Sequence, residues 1–162
     1  MTLPEYIEQT RTTDLVNTVK HAALGLISEI GEVYGVLARV ERGDKIDRAE
    51  RMTAELGDVA WYLARLCDLG QFQQPSAITP KDMKWHAERN VEFLLWVLAC
   101  FAHGAEGEGK LWRANDARTQ WSVWFALCRA ENLDPLAVLE SNLAKLRDRA
   151  ARKVIRGDGD NR

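Results

Sequence analysis

An all-α helical bundle is the fold class that the sequence predicts, and three observations predict it. Proline is scarce, with four in 162 residues, and alternating β-branched runs are nearly absent. Apolar residues recur at three- and four-residue spacing through most long segments, the period of a helix with one buried face. Capping residues and short polar connections bound those segments.

Taken in order, Thr2 and Glu5 form a capping box around Pro4 and open a first helix to about Thr12. Asp14 is the expected cap of a second helix running to Arg42, with Gly43 as its stop. A third helix is expected from about Asp47 to Leu69, stopped by Gly70. Gln71 to Ala77 reads as a loop. Thr79 and Pro80 start a fourth helix, predicted to run unbroken to near Gly104. Ala105 to Lys110 reads as a flexible connector. Asn115 or Asp116 starts a fifth helix, Ala117 to Asn132, and Asp134 with Pro135 starts a sixth, to about Val154. Arg156 to Arg162 is a polar tail. The length suits one domain over residues 1–162 with a core of its own. Two helices of more than twenty residues, expected to be antiparallel, present more apolar face than such a chain easily covers, so a homo-oligomer (dimer or tetramer) is expected.

Composition excludes several classes. The net charge of −2 gives no overall attraction to nucleic acid or to anionic membrane. The charge is uneven: residues 142–162 hold seven Lys or Arg against three Asp, which leaves −6 for the rest. Cys67, Cys100 and Cys128 are odd in number, form no Cys-x-x-Cys, and read as reduced cysteines in helix cores. No signal-type apolar run opens the chain, and Val91 to Ala102 is too short to span a bilayer, so the expected location is the cytoplasm. The tryptophans of the second half, Trp85, Trp96, Trp112, Trp121 and Trp124, are expected to anchor packing there or at a subunit interface.

The informative feature is a set of acids where leucine would be normal. Glu29 and Glu32 are spaced i, i+3 in the second helix, and Glu55 and Asp58 are spaced likewise in the third. At about 100° per residue, Glu29 shares a face with Ala22, Leu26, Val33 and Val36. Glu55 shares one with Met52, Val59, Tyr62 and Leu66. Carboxylates converging in a partly dry place persist only when protonated, paired with bases or holding a cation. All-oxygen ligands suit a hard cation, Mg²⁺ or Mn²⁺, two or more ions being expected. A lone Glu-x-x-Glu is common on solvated helix faces; two pairs, both on apolar faces, are a stronger signal. Both motifs also carry glycine at the third position, Gly31 and Gly57, and Gly25 and Gly35 lie in the same long helix as Gly31. Mid-helix glycine costs roughly 1 kcal/mol relative to alanine, so close approach of another backbone or a ligand is expected there.

The pattern Glu29-x-x-Glu32, 22 intervening residues, then Glu55-x-x-Asp58 resembles the all-α nucleoside triphosphate pyrophosphohydrolases of the MazG-like and dimeric dUTPase superfamily. Leu26 to Leu37, Glu55 to Cys67 and Ser141 to Leu146, with Asn142-x-x-Lys145, are similar to that family too. The terminal Gly157 to Arg162 is similar to tails of small, phage-type members. The resemblance covers roughly residues 2–70 and 133–162. It departs over about 71–120, where some fifty residues with an extra tryptophan-rich helix intervene. It implies metal binding by Glu29, Glu32, Glu55 and Asp58, with catalysis by Glu29 and Glu32 and Glu29 favoured as general base. It also implies phosphate contacts from Asn142 and Lys145.

Asn142, Lys145, Arg149 and Lys153 recur at +3, +7 and +11, one stripe of the sixth helix, and a cationic stripe can orient a triphosphate. Alone, that stripe reads more readily as an ordinary surface helix; beside an acidic metal site the balance reverses. Tyr62, one turn after Asp58, is a candidate to stack on the nucleotide and equally a core tyrosine. His21, His86 and His103 lack ligand spacing, no Glu-x-x-His or Walker-type loop occurs, and no serine or cysteine has a credible base. The expected function is metal-dependent hydrolysis of a (d)NTP to (d)NMP and pyrophosphate, with a purine such as (d)GTP favoured, in nucleotide-pool control. The alternatives are a catalytically silent metal- or nucleotide-binding module, and a helical protein whose basic last helix binds nucleic acid.

Overall fold

The structure, a computed structural model, describes residues 1–106 and 117–152. Among them are seven helices and no strand, the all-α class that the periodicity predicts. They are α1 (Leu3–Thr10), α2 (Val19–Glu41), α3 (Arg48–Leu69), α4 (Pro80–Met83), α5 (Val91–Glu106), α6 (Ala117–Ala130) and α7 (Pro135–Ala151).

Most boundaries follow local chemistry. The Thr2–Glu5 capping box forms, Asp47 caps α3 through the Glu50 N–H, and Asp134 caps α7 through the Leu136 N–H. Three helices end in one way: a residue in the left-handed region follows, and a backbone bond closes the last turn from five residues on. These residues are Gly43 (φ 85°), Gln71 (φ 59°) and Asn132 (φ 58°). The closing bonds are Asp44 N–H to Arg39 O, Phe72 N–H to Cys67 O and Leu133 N–H to Cys128 O. The reversal after α3 therefore falls on Gln71, one residue past the glycine expected to supply it.

Two predicted boundaries are corrected. Asp14 does not cap α2. Its Oδ1 accepts from the backbone N–H groups of Val16 and Asn17, its Oδ2 is taken by Arg65 of α3, and Thr18 caps the helix instead. The predicted fourth helix is broken. α4 ends at Met83, a turn follows, and α5 starts afresh where Asn90 Oδ1 accepts the Phe93 N–H at 2.9 Å. A short amide side chain beside its own backbone offers the chain an alternative to helical bonds.

α3 is the axis of the molecule. It packs on α2, α7, α1 and α6, and it is buried nearly all round, from Met52 to Cys67. α5 lies on the other flank of α2, against α6. α2 and α3 run antiparallel: Gly25 faces Tyr62 while Glu29 faces Asp58, so position falls along one helix as it rises along the other. Trp121 and Trp124 are fully buried and edge-on to one another. The Trp124 indole N–H donates to the Leu56 carbonyl at 3.0 Å, pinning α3 inside the Glu55–Asp58 motif. Trp85 and Trp96 do not anchor this core; they are 60% and 58% exposed. Trp112 lies outside the described residues. Cys67 and Cys128 are buried and free, whereas Cys100 is exposed, contrary to the core position expected of it. No helix among the described residues is long and apolar enough to cross a membrane.

Candidate metal centre

Glu29 from α2 and Glu55 and Asp58 from α3 each place a carboxylate oxygen within 4.8 Å of the other two. Helix geometry brings them there. Glu55 and Asp58 are one turn apart on the face of α3 turned to α2 and α7. Glu29 sits at the flank of the α2 stripe formed by the buried Ala22, Leu26, Ile30, Val33 and Val36. Glu55 is only 9% exposed.

Glu32 is not brought into this group. An i+3 step turns the side chain about 60° back around the helix, and Glu29 already lies on the edge of the buried stripe. The further turn carries Glu32 out to an exposed position. Its charge still reaches Glu29, as the weakest of the influences on that group.

The electrostatics are those of too much negative charge in too little water. Burial, then the neighbouring charges of Asp58 and Glu55, push the Glu29 carboxyl up to about 7. The opposing attraction of Lys145 does not offset them.

The opposite wall is α7. Lys145 Nζ donates to both oxygens of Asp58, at 2.6 and 2.5 Å. Asn142, buried at 3% exposure, donates from Nδ2 to Asp58 Oδ1 at 2.9 Å. Its own Oδ1 accepts the hydroxyl of Tyr6 at 2.9 Å. Tyr6 is the functional neighbour that sequence reasoning missed. It is fully buried, and burial followed by the Asp58 charge holds its phenol well above the ordinary value, so it stays a donor. Asp58, which can only accept, fixes which way the Asn142 amide points, and the Tyr6 hydroxyl donates to the carbonyl end that is left. A tyrosine on the short apolar stripe Leu3–Tyr6–Ile7–Thr10 was the available signal, because a buried tyrosine needs a partner for its hydroxyl.

The glycines divide. A Cβ on Gly57 would stand 2.9 Å from Asn142 Cβ, so this position lets α7 approach α3. A Cβ on Gly25 would fall 2.0 Å from the Tyr62 ring. Gly31 and Gly35 have nothing within 4 Å, so close packing among the described residues accounts for two of the four. The part-buried Tyr62 ring fills the space over Gly25 and lies edge-on to His21 and Trp61. Arg149 lies one turn beyond Lys145, partly buried, and makes no ion pair with another described residue. Lys153 and the tail from Arg156 lie outside the described residues. A cleft of about 280 Å³ opens beside Asn142 and Lys145, floored by Thr53 and Ala54 of α3 and flanked by Glu50 and Ser141.

The donor set suits a hard divalent cation. All three candidate ligands are carboxylate oxygens. Opposite oxygens around Mg²⁺ stand about 4.2 Å apart and adjacent ones about 3 Å, so the three need only small side-chain adjustments to share one ion.

No protein-family model matches the chain, and neither a curated protein nor a solved structure matches it significantly.

Proposed function

We propose that this protein is a metal-dependent nucleoside triphosphate pyrophosphohydrolase, opening the anhydride bond between the α- and β-phosphates to give a monophosphate and pyrophosphate. The observation that carries the reading is the convergence of the Glu29, Glu55 and Asp58 oxygens within 4.8 Å, facing Lys145 and Asn142. An anionic pocket beside an amide and an amine suits a cation that in turn holds phosphate oxygens.

Glu29, Glu55 and Asp58 hold Mg²⁺ or Mn²⁺, and Glu32 stands exposed at the rim. The metal, when bound, supplies a water of lowered pKa and charge neutralisation on the phosphate oxygens. Glu29 takes the proton of the attacking water. It is assigned that role by analogy with the resembled family, as a carboxylate not fully committed to the cation. As the new bond to phosphorus forms and the anhydride bond breaks, the electron pair leaves on the pyrophosphate. Asn142, Lys145 and Arg149 orient that departing portion, and the cleft over Thr53 and Ala54 receives part of the nucleotide. No covalent intermediate is required. A purine (d)NTP such as (d)GTP is the first substrate to test, within a resembled family whose members take several bases. The exposed Leu15, Val16 and Leu24, and the exposed Trp85 and Trp96, are the apolar surfaces on which a homo-oligomer would form.

The test is pyrophosphate release from a panel of ribo- and deoxynucleoside triphosphates with Mg²⁺ or Mn²⁺, and with chelator. Turnover that requires the metal supports the reading. Nucleotide binding without turnover would identify a binding module, and salt-sensitive DNA or RNA binding untouched by chelator would identify a nucleic-acid-binding protein.

A further inference from the structure

Lys145 is engaged where, as a phosphate ligand, it should be free. Its Nζ contacts both oxygens of Asp58, so the ammonium sits on the carboxylate that a metal would take. The contact is built. Asn142, held by the Tyr6 hydroxyl, donates to the same Asp58 Oδ1 and fixes the rotamer that Lys145 meets. Gly57 gives α7 the close approach that the reach requires. Arg149 stands one turn away without an ion pair among the described residues, so the helix had another cation to offer. A fixed ammonium and a divalent ion cannot both lie against one carboxylate without strong repulsion.

We propose that Lys145 is an exchangeable counterion: in the unloaded protein it neutralises Asp58, and on metal loading it lets go and turns to the phosphate groups of the substrate. This rests on the metal reading above. The exchange couples the two ligands. Breaking the Lys145–Asp58 pair opposes metal binding alone. An anionic phosphate that receives the freed ammonium offsets the loss, so metal and nucleotide load together.

The experiment follows the lysine rather than turnover. The wild-type protein is treated with an acylating reagent with and without Mn²⁺, no nucleotide being present, and Lys145 labelling is read by peptide mass spectrometry. Mn²⁺ affinity of wild type and Lys145→Met is measured by calorimetry in parallel. The exchange predicts that Mn²⁺ speeds Lys145 labelling severalfold, that Asp58→Asn does so without metal, and that Lys145→Met binds Mn²⁺ roughly tenfold tighter. Labelling that is unchanged or slowed by Mn²⁺ overturns the exchange while leaving the metal site standing. So does a Lys145→Met affinity equal to or weaker than wild type. A wild-type protein that takes up no Mn²⁺ overturns the metal reading and the exchange with it.

Discussion

Two aspartates of α3, ten residues apart, have the same side-chain exposure, 21%, and opposite surroundings. Asp68 accepts from Arg11 at 2.9 and 2.7 Å and from Arg65 at 2.7 Å, while Arg65 also binds the buried Asp14 at 2.7 Å. Two carboxylates there meet two guanidinium groups, with Glu8 adding an outer contact to Arg11. Asp58 accepts from one ammonium and one amide, and the carboxylates of Glu29 and Glu55 crowd beside it. Equal burial thus accompanies an ion-pair network at one end of the helix and a cluster of converging carboxylates at the other. The first needs nothing further to be stable. At the second, burial and the charges of Asp58 and Glu55 hold the Glu29 carboxyl up to about 7, and this crowding is what the proposed metal reading rests on.

The contrast can be broken from the stable end first. Arg65→Met should cost about 3–5 kcal/mol in a denaturant titration, because Asp14 is left buried without its cation. Metal uptake should be unaffected. At the other end, Glu55→Gln should lower metal affinity and pyrophosphate release at least about 100-fold. The melting temperature should hold or rise, since one repelling anion is gone. A variant that hydrolyses triphosphates at the original rate would sink the assigned mechanism. Gly57→Ala should destabilise by about 1–3 kcal/mol and weaken the Asn142–Asp58 contact, because a methyl group there collides with Asn142.

A pH titration sharpens the comparison, since the two ends respond with opposite signs. Glu29 holds its proton up to about 7 in the folded chain against an ordinary 4.5, so metal-free stability should decline as pH rises from 4.5 through 7. Metal binding at pH 6.5 should release up to about one proton, read by calorimetry in two buffers of different ionisation enthalpy. Asp68 is held below its ordinary value, first by the Arg11 hydrogen bond, so its contribution is full at neutral pH and is lost as pH falls below about 3.8. Glu29→Gln should abolish the first response and leave the second. The smallest effect belongs to Gly31→Ala, where a methyl meets nothing: a gain of about 0.5–1 kcal/mol with metal uptake unchanged.

Much of this was legible before any coordinates, for local reasons. Asp47, Asp134 and the Thr2–Glu5 pair act within three or four residues of themselves, so their sequence neighbours suffice to predict caps. The acids at 29, 55 and 58 were legible because helical period alone put them among apolar residues. Asp14 misled because its deciding partner, Arg65, lies 51 positions away. Asn90 misled because one amide competing with the backbone outweighs an otherwise continuous apolar pattern. Glu32 misled because a 100° step locates a face without fixing the edge of the buried stripe.

What the sequence determined by itself is periodic and short-range: helices, their principal stops, and an acidic stripe on each of two of them. The tertiary structure decided what meets what. Packing of α7 on α3 through Gly57 set Lys145 and Asn142 on Asp58, and packing of α1 behind α7 put the Tyr6 hydroxyl on Asn142. Such contacts join residues 84 to 136 positions apart. They follow from how whole faces interlock, which no window of neighbouring residues encodes.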